Sequence, residues 1–188
     1  TKTDAGRVAV YEYINSSWSQ IGSNIDGENA GDQSGQCVSL SSDGSIVAIG
    51  SSKNNENGSN AGHARVYQRD NSNTTVAPIG WTQLGSDIDG DASNKLGFSV
   101  SLSSNGDILA IGAIGAGYAH VRVYEYNSGW SQIGSNIVIS GGSGYAQTGY
   151  SVSLSSDGSI LALGAKLYSS GKGGAAVFEY INSGWSQI

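Results

Sequence analysis

The chain has 188 residues and a net charge of −6, and its nine Lys and Arg residues are scattered. That excludes a groove that neutralises nucleic-acid phosphates, disfavours an anionic membrane surface, and leaves no apolar run of membrane-spanning length. Charged residues make up only 13% of the chain, with Gly, Ser and Asn in their place, but its regular apolar strands exclude a disordered polymer.

The first predicted strand is VAVYEY (Val8–Tyr13), and the second begins at Trp18 and runs WSQIG. After these the chain repeats in units of four strands, here lettered A to D. Strand A is VSLS (Val38–Ser41, Val100–Ser103, Val152–Ser155), with larger residues alternating with serines. Strand B is IVAIG, ILAIG or ILALG (Ile46–Gly50, Ile108–Gly112, Ile160–Gly164), apolar on both faces. A tight hairpin joins A to B at Asp43-Gly44, Asn105-Gly106 and Asp157-Gly158. Strand C recurs as Ala64–Arg69, Val121–Tyr126 and Ala175–Tyr180, and strand D starts at Trp81, Trp130 and Trp185. The opening pair, Val8–Tyr13 and the strand from Trp18, are a C and a D.

No segment has a helical period, so the chain is read as all-β. A strand that is apolar on both faces must be covered on both faces. Four-stranded units in tandem meet that need by stacking around an axis, as a β-propeller of four-stranded antiparallel blades. A β-solenoid is the competing architecture, but its period is usually shorter and stricter. The whole chain, 1–188, reads as one propeller portion: a half blade over 1–22, then blades over 35–85, 97–134 and 149–188. That makes fourteen strands, or three and a half blades. The half blade lacks strands A and B, and there is no Met even at position 1. The expectation is an internal portion of a longer propeller; the alternative is self-assembly, with a partner chain supplying the missing strands.

The stretch GFSVSLSSNGDILAIGAIGAGYAHVRVYEY (97–126) resembles the FG-GAP-like repeat of the integrin-α N-terminal propeller superfamily. It is especially similar to tandem repeats of secreted or surface proteins of marine bacteria and algae. The family's FG glycine falls on Gly35, Gly97 and Gly149, preceded by Ser34, Leu96 or Thr148 in place of Phe. The GAP triplet falls on Gly50-Ser51-Ser52, Gly112-Ala113-Ile114 and Gly164-Ala165-Lys166, without its Pro. The resemblance implies a propeller, an extracellular or cell-surface setting and a role in adhesion. The family's calcium loop between A and B has shrunk here to Ser-Ser-Asp-Gly, with one carboxylate at most, so its metal site is not carried over.

Acid residues gather instead in the loops from D to the next A. The first holds Asp26, Glu28 and Asp32; the second holds Asp87, Asp89 and Asp91 around Gly90. Alternate carboxylates in a glycine-containing loop suit a hard cation, which makes Asp87, Asp89 and Asp91 the candidate calcium set, with solvated surface charge as the competing reading. The third loop (Val138–Gly149) has no acid. His63 and His120 share one repeat position, held by Arg7 and Gly174 in the other copies, and are read as surface histidines inherited with the repeat. Cys37 takes the place of Ser99 and Ser151 and reads as a small buried residue. Asn15, Asn57 and Asn73 stand in N-x-S/T triplets and are glycosylation candidates.

No GxSxG, HExxH or repeated Cys/His pattern is present, so no catalytic residue is assigned and the chain is expected not to be an enzyme. The B–C and D–A loops share one propeller face, polar and bearing Tyr145. The expected function is a non-catalytic extracellular recognition or adhesion module binding protein or glycan, with no cofactor beyond candidate calcium. The alternatives are a structural subunit of a surface fibre or sheath, assembled through the half blade, and a carbohydrate-active enzyme.

Overall fold

The alternation of apolar residues along each strand is realised as a series of stacked antiparallel sheets. The computed structural model describes residues 3–115, 117, 119–139, 147–167 and 172–188. Tyr145 lies outside them. The chain begins with a two-stranded sheet of β1 (Arg7–Ile14) and β2 (Ser17–Asp26). A second sheet runs in chain order through β3 (Cys37–Leu40), β4 (Ile46–Ser51), β5 (His63–Arg69) and β6 (Trp81–Gln83), with β7 (Ile88–Asp89) also paired to β5. The third sheet is β8 (Leu96–Leu102), β9 (Ile108–Ala113), β10 (His120–Tyr126) and β11 (Trp130–Gln132). The fourth is β12 (Thr148–Leu154), β13 (Ile160–Ala165), β14 (Gly174–Ile181) and β15 (Gly184–Gln187). This is an all-β propeller architecture of four-stranded antiparallel blades.

Three apolar layers lie between the four sheets. Side chains alternate across a strand, so the B-type strands β4 and β9 each serve two layers, while β13 of the last sheet serves one. Val47 and Ile49 of β4 pack with Val8, Val10, Ile25, Tyr67 and Trp81. Ile46 and Ala48 of the same strand pack on the other side with Leu109 and Ile111 of the next sheet. Leu161 and Leu163 of β13 meet Val121 and Val123 of β10 in the third layer. Val100 and Leu102 of β8 are buried, whereas their counterparts Val38 and Leu40 of β3 are about half exposed, because the β1–β2 sheet has no A and B strands to cover them.

The WSQIG motif joins one sheet to the next. The indole nitrogen of Trp81 donates to the Ile21 carbonyl (3.2 Å), that of Trp130 to Leu84 (2.8 Å) and that of Trp185 to Ile133 (3.2 Å). The residue after each accepting carbonyl is Gly22, Gly85 or Gly134, with φ of 64°, 78° and 72°. A Cβ on Gly85 would lie 2.9 Å from Trp130 Cδ1, and Gly22 and Gly134 face Trp81 and Trp185 in the same way. Glycine is therefore needed for both its backbone conformation and its lack of a side chain. Beyond the expected D strand, the loop residues Ile88–Asp89 also pair, as β7, giving fifteen strands among the described residues rather than fourteen.

The serines of VSLS make the inner seam. Leu102 N donates to Ser39 Oγ and Leu154 N to Ser101 Oγ, both at 3.0 Å. In the A–B hairpins, Asp43 Oδ1 accepts from Ser41 Oγ (2.7 Å), Ser45 N (2.9 Å) and Ser45 Oγ (2.8 Å). Asp157 repeats the pattern with Ser155 and Ser159. These bonds favour the ionised form and hold both carboxyls down at about 2.

Two outcomes follow for stability. Trp81 is 1% exposed, so Trp81→Ala should cost about 3–5 kcal/mol by chemical denaturation. Trp18 is 69% exposed, and Trp18→Ala should cost about 1 kcal/mol or less. Asp43 and Asp157 titrate lower in the folded chain than their ordinary 3.8. The stability they contribute is present above that value and is lost as pH falls through about 2. The double variant Asp43→Asn, Asp157→Asn should accordingly show a flatter fall of thermal midpoint over this interval. Asn105 already occupies the equivalent turn, accepting from Ser103 Oγ at 2.8 Å.

Candidate functional site

His63 opens β5, three residues before the buried Val66. Its backbone is fixed on both sides, paired with Ser51 of β4 and Asp89 of β7. The side chain is 0% exposed, which corrects the expectation of a surface histidine. His120, at the same position of β10, is buried too. The cause is the chain after strand D, which returns to pair with the start of strand C, as β7 does with β5 and Ile137 does with Val121.

Carboxylates from three separate segments surround the His63 imidazole. Nδ1 lies 3.4 Å from Asp87 Oδ2, 3.9 Å from Glu28 Oε2 and 4.0 Å from Asp89 Oδ1. Glu28 follows β2, Glu56 lies between β4 and β5, and Asp87 sits in the interruption between β6 and β7. One donor atom from each of Glu28, Glu56, His63 and Asp87 falls within 4.8 Å of all the others. Neither ring nitrogen of His63 makes a hydrogen bond among the described residues. Amide side chains hold two of the acids: Gln83 Nε2 donates to Asp87 Oδ1 (2.5 Å) and Asn29 Nδ2 to Glu56 Oε1 (3.0 Å).

Arg65, two residues along the same face of β5, supplies the local positive charge. Its Nη1 lies 3.5 Å from Glu28 Oε1, and its Nη2 donates to the Asp26 carbonyl (2.9 Å) and Ser34 Oγ (3.4 Å). Burial pushes the Glu28 carboxyl above its ordinary range; Arg65 opposes this, and Asp87 and Glu56 add to it. Asp89 is raised by burial and then by Asp87 and Glu56. His63 is pushed down by burial and by Arg65, against the pull of the surrounding acids.

Glu28 and Arg65 also line a groove of about 730 Å³ between β2 and the outer edge of the second sheet. Asp70, Thr82 and Gln83 put hydrogen-bonding groups on its wall, backed by the buried Tyr67 and Trp81. Such a lining suits a small polyhydroxylated molecule. A pocket of about 600 Å³ at the next junction contains His120, Arg122 and Asp91. There Arg122 Nη2 donates to Asp91 Oδ2 at 2.7 Å, and Asn136 stands where the first junction has Asp87.

Of the candidate calcium residues, Asp87 lies in the His63 cluster, Asp89 lies at its edge and Asp91 is engaged by Arg122 and Asn94. Asp26 pairs with Arg7, and buried Asp32 accepts from Asn29 N (2.9 Å) and Asn54 Nδ2 (3.3 Å). Glu56 and the central place of His63 escaped the sequence reading. One signal was present: Asp87 stands six residues after Trp81, where the other copies have Asn24 and Asn136. In each copy the glutamine two residues after the tryptophan donates to this side chain.

The candidate glycosylation residues differ in setting. Asn15 is exposed. Asn57 Nδ2 donates to the Gly90 carbonyl (2.8 Å), and Asn73 Nδ2 donates to the Pro78 (3.1 Å) and Trp81 (2.8 Å) carbonyls. A glycan at Asn73 would take one of the two Nδ2 hydrogens and so remove at least one of these bonds. Cys37, read as a buried residue, is half-buried, and its thiol donates to the Gly97 carbonyl (3.1 Å), as Ser99 Oγ does to Gly149 (2.8 Å).

No protein-family model matches the chain, and no curated protein matches its sequence. Solved structures match its fold. A periplasmic gluconolactonase of Pseudomonas aeruginosa is similar over 92% of this chain and 46% of its own, with 16% identity and a TM-score of 0.58. A protein from Lactobacillus plantarum is similar over 97% of this chain and 48% of its own, with 16% identity and a TM-score of 0.63. The chain therefore spans about half the length of each. The sheets and these likenesses together define the class as β-propeller. They also overturn the expectation of a non-catalytic adhesion or fibre module, and with it the expectation of no enzyme: a fold neighbour along nearly all of this chain is an enzyme.

Burial pushes the Cys37 thiol up to about 12. A thiol-disulfide reagent at neutral pH should leave Cys37 unlabelled in the folded protein and label it stoichiometrically once denatured. Rapid labelling of the native protein would contradict the half-buried, hydrogen-bonded thiol.

Proposed function

We propose that this chain belongs to a β-propeller hydrolase that opens a sugar lactone, with the groove beside Glu28 and Arg65 as its substrate site. The observation that carries the reading is that Glu28 belongs at once to the groove and to the buried His63 cluster. The gluconolactonase among the fold neighbours supports the choice of substrate class.

In this reading the ring hydroxyls of the lactone bond to the polar wall of the groove, and its carbonyl faces Arg65. Water adds to the carbonyl carbon while Glu28 takes up its proton. The carbonyl electrons move to oxygen, and the guanidinium stabilises the resulting oxyanion. Collapse re-forms the carbonyl and breaks the ring C–O bond. The ring oxygen recovers the proton from Glu28, and the product is a hydroxy acid. Arg65 is placed for this role because it lines the groove with its Nη1 3.5 Å from Glu28 Oε1.

The protein acts outside the cytoplasm in this reading. The periplasmic setting of the Pseudomonas enzyme supports that, as does the FG-GAP-like character of the repeat around Gly35, Gly97 and Gly149.

The test is proton release from D-glucono-1,5-lactone by the full-length protein. Saturable turnover is expected, with kcat/KM lowered about 100-fold by Glu28→Gln. Absence of turnover on a panel of aldonolactones, or an unimpaired Glu28→Gln enzyme, would contradict the proposal.

A further inference from the structure

We propose that Glu56, His63 and Asp87 bind one divalent cation of the zinc or manganese class, with Glu28 on its open side. The inference deepens the lactonase reading and rests on it for the use to which the cation is put; binding itself stands on the geometry.

His63 supplies the first argument. Its imidazole is wholly buried, its Nδ1 faces the acids, and neither nitrogen makes a hydrogen bond among the described residues. Buried polar atoms are rarely left in that condition without a ligand or an ion. A plain imidazolium–carboxylate bond is not what the geometry shows. The shortest approach, to Asp87, is 3.4 Å and makes no hydrogen bond.

The acids supply the second argument. Three carboxylates converge on one side of His63 within 4.8 Å, and the nearby cation Arg65 is already engaged with Glu28, the Asp26 carbonyl and Ser34. Cation–ligand bonds of about 2.0–2.2 Å require ligand atoms roughly 3.4 Å apart, so small side-chain rotations close the cluster around an ion. Gln83 on Asp87 and Asn29 on Glu56 are the outer partners that orient ligating carboxylates.

The mixed donor set selects the ion. Calcium prefers six to eight oxygens, whereas one imidazole with carboxylates suits zinc or manganese. Three protein ligands leave a position for water, and Glu28 stands beside it, shared with the groove. The second junction is an internal control. It keeps His120 and Arg122 but has Asn136 in place of Asp87, and its Asp91 is taken by Arg122.

The test is calorimetric titration of the metal-stripped, full-length protein with Zn²⁺, Mn²⁺ and Ca²⁺. Saturable binding of one Zn²⁺ or Mn²⁺ per chain is expected. His63→Gln and Asp87→Asn should each weaken it at least about tenfold, and Asp91→Asn should leave it unchanged. Asp87→Asn installs the residue that the repeat carries at positions 24 and 136, which guards against simple misfolding. No saturable binding, equal binding by Asp87→Asn, or a preference for Ca²⁺ would overturn the inference. Lactone hydrolysis is measured on the same samples. Metal binding without turnover overturns the lactonase reading alone; turnover in a protein that binds no metal overturns the cation alone.

Discussion

The close approach of one sheet to the next is the constraint on which the rest depends. It is set by an indole N–H reaching a carbonyl one sheet back, beside a glycine that has no side chain to block it. The same economy holds at the inner strands. A Cβ on Gly50 would overlap the Gly97 carbonyl, and one on Gly112 would overlap that of Gly149. Nearby, Cys37 and Ser99 donate to those same carbonyls. Apolar burial supplies the non-directional attraction between sheets, and these backbone contacts fix their spacing.

That spacing also makes a site possible. Glu28 comes from the chain leaving the first sheet, while Glu56, His63, Arg65 and Asp87 come from the second. After β6 ends at Gln83 the chain carries Asp87 to the start of β5, and β7 then pairs with β5 beside His63.

Much of the fold was legible in the sequence because it is written several times. The doubly apolar B strands, the serines of VSLS and the WSQIG motif each have a contact that explains them. The site was less legible because it lies in departures from the repeat. Asp87 differs from Asn24 and Asn136, and Glu56 lies in a loop whose length is not repeated. His63 looked inherited because His120 shares its position, and pattern alone does not reveal that the returning chain buries it. The acid string Asp87, Asp89, Asp91 looked like one loop of ligands, yet only Asp87 and Asp89 approach His63, while Asp91, past the end of β7, is held by Arg122 of the next sheet.

The central claim is that the groove at this first junction is where substrate is held. A crystal structure of the full-length protein with bound D-gluconate tests it most directly. The account predicts the product in the groove between β2 and the β5–β6 edge, with its carboxylate against Arg65 and within reach of Glu28. Gluconate bound elsewhere on the propeller, with this groove filled only by solvent, would contradict it.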